Sequence, residues 1–127
     1  MSDPFPITIY HNPNCGTSRN ALAIIRAAGY EPTIVEYLQA GWTEDQVLNL
    51  AKAAGLNLRQ LMREKGTPAA DLGLLDPGAT EDQIVRAMVA HPILVNRPIV
   101  VTPLGTKLSR PSERVLEILN RTPASFT

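Results

Sequence analysis

Residues 7–19, Ile-Thr-Ile-Tyr-His-Asn-Pro-Asn-Cys-Gly-Thr-Ser-Arg, constrain the fold more than any other stretch of the chain. Ile7, Thr8, Ile9 and Tyr10 are β-branched or aromatic and read as a strand. Asn12-Pro13-Asn14 breaks that strand with turn chemistry. Ala21, Leu22, Ile24, Ile25 and Ala28 then recur at helical spacing, and Gly29 stands where a helix-ending glycine would. Cys15, the only cysteine in the chain, therefore falls where a strand passes through a tight loop into a helix N-terminus.

That location has a chemical consequence. The first N–H groups of a helix lack intrahelical partners, and partial positive charge gathers there. A thiolate at such a point is stabilised, so its pKa is expected below the free value of about 8.5. The same N–H groups can hold an oxyanion. An inert buried thiol is the competing reading. Against it stand the polar neighbours His11, Asn12, Asn14, Thr17, Ser18 and Arg19. His11 could lower the thiolate pKa or serve as a hydrogen-bonding loop residue.

Pro32-Thr-Ile-Val-Glu-Tyr37 reads as a second strand one helix-length later, so the first part is a βαβ unit with parallel pairing. Thr43-Glu-Asp-Gln46 and Thr80-Glu-Asp-Gln83 are capping-box patterns ahead of apolar periodicity. Asn57 can cap a short helix, Thr67-Pro68 has the form of another helix start, and Asp76-Pro77-Gly78 is a turn. Ile99-Val100-Val101 suggests a buried strand, and Pro103-Leu104-Gly105 a hairpin returning through Thr106-Lys107-Leu108. Pro111-Ser112 opens a last helix through Val115, Leu116, Ile118 and Leu119, and the tail from Thr122 reads as loose. The order β-α-β, helical middle, β-β-α is an α/β plan: a thioredoxin-like fold with a mixed sheet. A single domain is expected over residues 1–127, with a helical insertion at about 43–91.

Composition excludes several classes. Twelve basic and twelve acidic residues leave no net charge, and no basic stripe marks a nucleic-acid face. No apolar run approaches the eighteen or so residues of a membrane span, and Met1–Pro6 lacks signal-peptide character. A single cysteine excludes an intramolecular disulfide and suits a reducing, cytoplasmic setting. Two histidines and one cysteine at these spacings do not form a metal site.

Nine of the twelve basic residues are arginines, whose planar fork suits tetrahedral oxyanions. Arg63, Arg97 and Arg110 each stand at a junction between elements, although a solvated or structural role would explain any one of them. Arg19, Arg26, Arg59, Arg86, Arg114 and Arg121 read as exposed helix positions, with Arg19 set apart by its nearness to Cys15.

With these residues assembled, the chain resembles the glutaredoxin-dependent arsenate reductase family of bacteria. The likeness is dense over residues 7–20, 31–35 and 91–106, and it returns at Arg110-Pro-Ser-Glu113 and Val115–Leu119. The family's catalytic cysteine falls on Cys15, its loop histidine, catalytic through activation of the thiol, on His11, and its oxyanion-binding arginines on Arg63, Arg97 and Arg110. Ser109 stands where some members carry a second cysteine. The resemblance implies reduction of arsenate to arsenite by way of a Cys15–arsenic adduct. Glutathione would be the co-substrate and glutaredoxin the partner, with no bound cofactor. Two thiols are needed for two electrons and the chain holds one, so an external thiol is required in any case. Thioredoxin-like folds also place a cis-proline beside the active cysteine, and Pro98 occupies that slot.

Two alternatives carry the same fold. One is a redox-sensing regulator that binds RNA polymerase, but such relatives show Cys-x-x-Cys where this chain has Cys15-Gly-Thr-Ser18. The other is a glutathione-dependent thiol reductase of unknown substrate.

Overall fold

The computed structural model describes residues 5–120, and the tail from Thr122 lies outside them. The chain forms two compact units. One combines the segments up to Glu36 and from Arg97 onward; the other is Tyr37–Asn96.

In the first unit, β1 (Thr8–His11), α1 (Gly16–Ala27) and β2 (Thr33–Glu36) form the expected βαβ turn. β3 (Ile99–Thr102) and β4 (Gly105–Leu108) form the hairpin. The sheet order is β2-β1-β3-β4, with β1 parallel to β2 and antiparallel to β3, and β3 antiparallel to β4. This mixed sheet is the thioredoxin-like arrangement.

Ile9 pairs with Val100, so both point to one face of the sheet. There they join Ala21, Ile24 and Ile25 from α1 and Val115, Ile118 and Leu119 from the C-terminal segment. Full burial of each large aliphatic side chain contributes about 1.5–3 kcal/mol. Thr102 ties the layers together: its Oγ1 donates to the Ile118 carbonyl at 2.6 Å and accepts from Leu104 N–H at 3.0 Å.

The C-terminal segment departs from expectation. Residues Ser112–Ile118 wind as a 3-10 helix rather than an α-helix. Its buried residues, Ser112, Val115 and Ile118, recur every three positions. That spacing eclipses on a helix of three residues per turn, so one narrow stripe meets the sheet. The second strand is also shorter than expected, because Tyr37 leaves it to start α2 (Tyr37–Ala40).

The second unit is built from α3 (Glu44–Ala54), α4 (Leu58–Leu61) and α5 (Glu81–Ala90), followed by a 3-10 turn at Pro92–Leu94. Thr43/Gln46, Asn57/Gln60 and Thr80/Gln83 each form a complete capping box. Gly55 ends α3 with φ 71°, a conformation that strains any residue bearing a Cβ. Ile84, Val85 and Met88 of α5 and Val47, Leu50 and Ala51 of α3 are buried, and these two helices are in contact. Trp42 stacks on Tyr37 with ring centroids 5.2 Å apart, and its indole N–H donates to the Pro92 carbonyl.

No helix starts at Thr67-Pro68, contrary to expectation. Leu72 N–H does reach the Pro68 carbonyl at 2.9 Å, but Gly73, at φ 74°, ends the turn at once. The following loop is held from outside. Arg59 donates to the carbonyls of Leu74, Asp76, Pro77 and Ala79, at 2.6–3.5 Å. It is a structural clamp, where its sequence context reads as an ordinary exposed helix position.

Candidate active site

The topology fixes which end of the sheet carries the site. β1 runs antiparallel to β3, so the loop after His11 emerges where β3 begins. β4 runs antiparallel to β3, so its exit lies at the same end. Arg97 precedes β3 and Arg110 follows β4, which brings both to the loop that holds Cys15. Ser109 N–H donates to the Pro98 carbonyl at 2.9 Å, and Arg110 Nη1 donates to the Arg97 carbonyl at 2.9 Å. The Arg97–Pro98 bond is cis as expected, and Arg110–Pro111 is cis as well.

Cys15 is the N-cap residue of α1, with φ −101° and ψ 120°. Its N–H closes a turn onto the Asn12 carbonyl at 3.0 Å, and Asn14 N–H donates to Asn12 Oδ1 at 2.9 Å. No capping hydrogen bond of ordinary geometry forms and the first turn holds no carboxylate, so the amide dipoles of α1 act on the sulfur.

Cys15 is about nine-tenths buried, with Arg110 Nη1 3.7 Å from Sγ. Burial alone would push the thiol up. The Ser18 backbone N–H, then hydrogen bonds from Arg97 and Arg110, then the charge of Arg97 outweigh it, and the pKa falls from 9.0 to about 7. Near neutral pH a large fraction of Cys15 is thiolate.

His11 lies beneath this loop. Alternation along β1 puts it on the face of Ile9, against α1, where it is buried. Ser18 occupies the buried stripe of α1 together with Ala21 and Ile25. Two polar residues on otherwise apolar faces thus meet: His11 Nδ1 and Ser18 Oγ are 2.6 Å apart. Ser18 Oγ also accepts from Asn12 N–H at 3.1 Å. Burial lowers the His11 pKa; Glu36, its register partner on β2, raises it, and Arg19 and Arg26 lower it further. The net shift is downward, which favours the uncharged ring, and the ring braces the loop through Ser18. Ser18 and Asn12 stand out in the sequence only as polar company for Cys15. A signal for the Ser18–His11 pair was present, because position 18 interrupts an apolar stripe and position 11 an apolar alternation.

The structure therefore brings Cys15, Arg97 and Arg110 together, with His11 behind them. Arg63 belongs to the second unit. It follows the isolated bridge Met62–Val95, its N–H donates to the Leu94 carbonyl at 2.8 Å, and its Nε donates to the Lys65 carbonyl at 3.1 Å. Among the described residues no group of three or more His, Cys, Asp or Glu could hold a metal ion. No helix among them is long and apolar enough to cross a membrane.

Comparison with known proteins fits this geometry. The ArsC family model matches residues 10–118. The chain is 59% identical over 113 residues to the arsenate reductase of Rhizobium meliloti, covering 89% of this chain and 81% of that protein. It is 53% identical over 122 residues to an arsenate reductase of Escherichia coli, covering 95% and 86%. The solved structure of the arsenate reductase from Vibrio cholerae superposes with a TM-score of 0.88 at 37% identity, over 92% of this chain and all of that one. A cysteine set at the strand-to-helix turn, two arginines delivered to it by the last hairpin, and a match over most of the length lead to one conclusion: this chain belongs to the ArsC family.

Proposed function

We propose that this protein is an arsenate reductase that uses glutathione and glutaredoxin as its source of electrons. The observation that carries the reading is the Cys15 thiol, lowered to about 7 while Arg97 and Arg110 are held against it. A nucleophile and two guanidinium forks at one point suit a tetrahedral oxyanion. The reductase names of the relatives supply the identity of that oxyanion.

The chemistry then proceeds in four steps. The Cys15 thiolate attacks arsenic, an As–O bond breaks, and the oxygen leaves as water. Arsenic stays pentavalent, and Arg97 and Arg110 stabilise the anionic adduct. Glutathione attacks arsenic next and displaces a second oxygen as water. The glutaredoxin thiolate then attacks the glutathione sulfur. A disulfide forms between glutathione and glutaredoxin, and the As–S electron pair passes to arsenic, reducing it to As(III). Water finally displaces arsenic from Cys15, releasing arsenite and returning the thiol.

His11, bound to Ser18, keeps the loop in shape behind Cys15, and for a part in activating the thiol the support is the resemblance alone. For Arg63 the support is the resemblance alone. Loss of turnover in Arg63→Ala at unchanged thermal midpoint would place it in the reaction. A single cysteine and a glutathione-linked reductant suit the reducing cytoplasm. The test is an arsenite-release assay with glutathione and glutaredoxin supplied separately and together. Arsenite formed only with both, and lost in Cys15→Ser, supports the reading. Arsenite formed by Cys15→Ser at the wild-type rate overturns it.

A further inference from the structure

The reaction proposed above brings a second thiol to Cys15, and the loop carries a cation that is not used on the sulfur. Arg19 lies one turn into α1, with its backbone N–H on the Cys15 carbonyl. Helical side chains lean toward the N-terminus, and this one turns back over the loop, where Nη1 donates to the Pro13 carbonyl at 2.8 Å. Nη2 lies 3.7 Å from the point where a side chain on Gly16 would begin. Pro13, Gly16 and Arg19 are all exposed.

The charge has no counter-ion within the described residues. The ion pairs there are Arg26–Glu31, Lys107–Glu117 and Arg114–Glu117. The groups that lower the Cys15 thiol are Ser18, Arg97 and Arg110, whereas Arg19 acts on His11. The contact with Pro13 uses one of five guanidinium N–H donors, which leaves an edge of the fork for an anion. Gly16, next to Cys15, puts no side chain in the way of an incoming molecule.

We infer that Arg19 docks a carboxylate of the incoming thiol and so selects an anionic thiol such as glutathione over a neutral one. The inference rests on the reading of glutathione as reductant, and it assigns Arg19 a duty separate from that of Arg97 and Arg110. Those two face the oxyanion at the sulfur; Arg19 faces the molecule that follows it. Because the pair would be solvent-exposed, its effect is a few-fold and weakens with salt.

The experiment uses disulfide exchange, which needs no arsenate. The Cys15 thiolate attacks glutathione disulfide, a Cys15–glutathione disulfide forms, the original S–S bond breaks, and glutathione thiolate leaves with the electron pair. Hydroxyethyl disulfide undergoes the same exchange without carboxylates. Rates are measured for wild type, Arg19→Gln and Arg19→Glu. With glutathione disulfide, Arg19→Gln is expected to be roughly two- to fivefold slower than wild type, and Arg19→Glu slower still. The difference should shrink in 0.5 M salt, and all three should match on hydroxyethyl disulfide. Equal rates on both disulfides overturn the inference. So does an equal fall on both, which would make Arg19 a brace for the loop through Pro13. If wild type also reduces arsenate, its apparent KM for glutathione should rise in Arg19→Gln while that for arsenate holds. If it reduces none, the proposed function fails and the exchange rates still decide the role of Arg19.

Discussion

The guanidinium of Arg110 lies 3.7 Å from the sulfur of Cys15, ninety-five residues away in the chain. The same nitrogen also donates to the Arg97 carbonyl, so the arginine is held in place before any substrate arrives. A pre-positioned donor loses little on binding and acts fully when charge develops. Five expectations follow from this arrangement and from contacts elsewhere in the chain.

Cys15→Ser is expected to abolish arsenate reduction and leave the circular dichroism spectrum unchanged. Serine fits the same space, but its hydroxyl is not ionised near neutral pH. Residual turnover above the uncatalysed background would contradict a Cys15 adduct.

The rate of alkylation of Cys15 against pH should show a midpoint near 7. The depressed value also links to stability. The folded state favours the thiolate, so this contribution is complete above the unfolded pKa and is lost as pH falls through about 7. In Arg110→Ala a lowering interaction is gone and burial still pushes the thiol up, so the midpoint should rise. A midpoint unchanged in that variant would show that the guanidinium does not tune the thiol.

Arg97→Lys and Arg110→Lys keep the charge but lose the planar fork. The expected loss is about 1–3 kcal/mol of transition-state stabilisation, or roughly five- to 150-fold in kcat/KM. Arg114→Lys is the control: Arg114 is exposed and only 3.9 Å from Glu117 in the last segment. Similar kinetics in all three variants would remove Arg97 and Arg110 from the site.

Ser18→Ala leaves His11 Nδ1 and the Asn12 N–H without the hydroxyl that joins them, in a fully buried place. Such a loss costs about 1–3 kcal/mol. Urea denaturation should give a lower midpoint at unchanged slope, and Ser18→Thr should recover part of it. Equal stability of wild type and Ser18→Ala would show that the pair braces nothing.

Arg59→Met removes the donors that hold the carbonyls of Leu74, Asp76, Pro77 and Ala79. Amide exchange at residues 74–79 should speed up by at least tenfold while that of α3 is little changed. Uniform exchange across the second unit would mean that the loop is held by something else.

The three capping boxes, the hairpin and the strand–loop–helix at Cys15 were legible because each depends on neighbours a few residues apart. Thr80 and Gln83 satisfy each other's backbone whatever surrounds them. The segment after Pro111 winds as a 3-10 helix, not the expected α-helix, for the opposite reason. Val115, Leu116, Ile118 and Leu119 fit either helical period, and the choice fell to the sheet face that a three-residue stripe could cover. Thr67-Pro68 offered a good helix start, but Gly73 and the reach of Arg59 decided against a helix there.

By itself, then, the sequence determined the local units and the reactive position. A lone cysteine after Asn-Pro-Asn and before an amphipathic run has to sit on a helix N-terminus. The tertiary structure decided which distant groups meet it. Arg97 and Arg110 reach the sulfur because two antiparallel pairings bring the start of β3 and the end of β4 to the exit of β1. His11 meets Ser18 because a period-two strand and a 3.6-period helix present them across one interface. Those meetings depend on pairing order and register, which are set by burial over the whole sheet and are not written in any one stretch of chain.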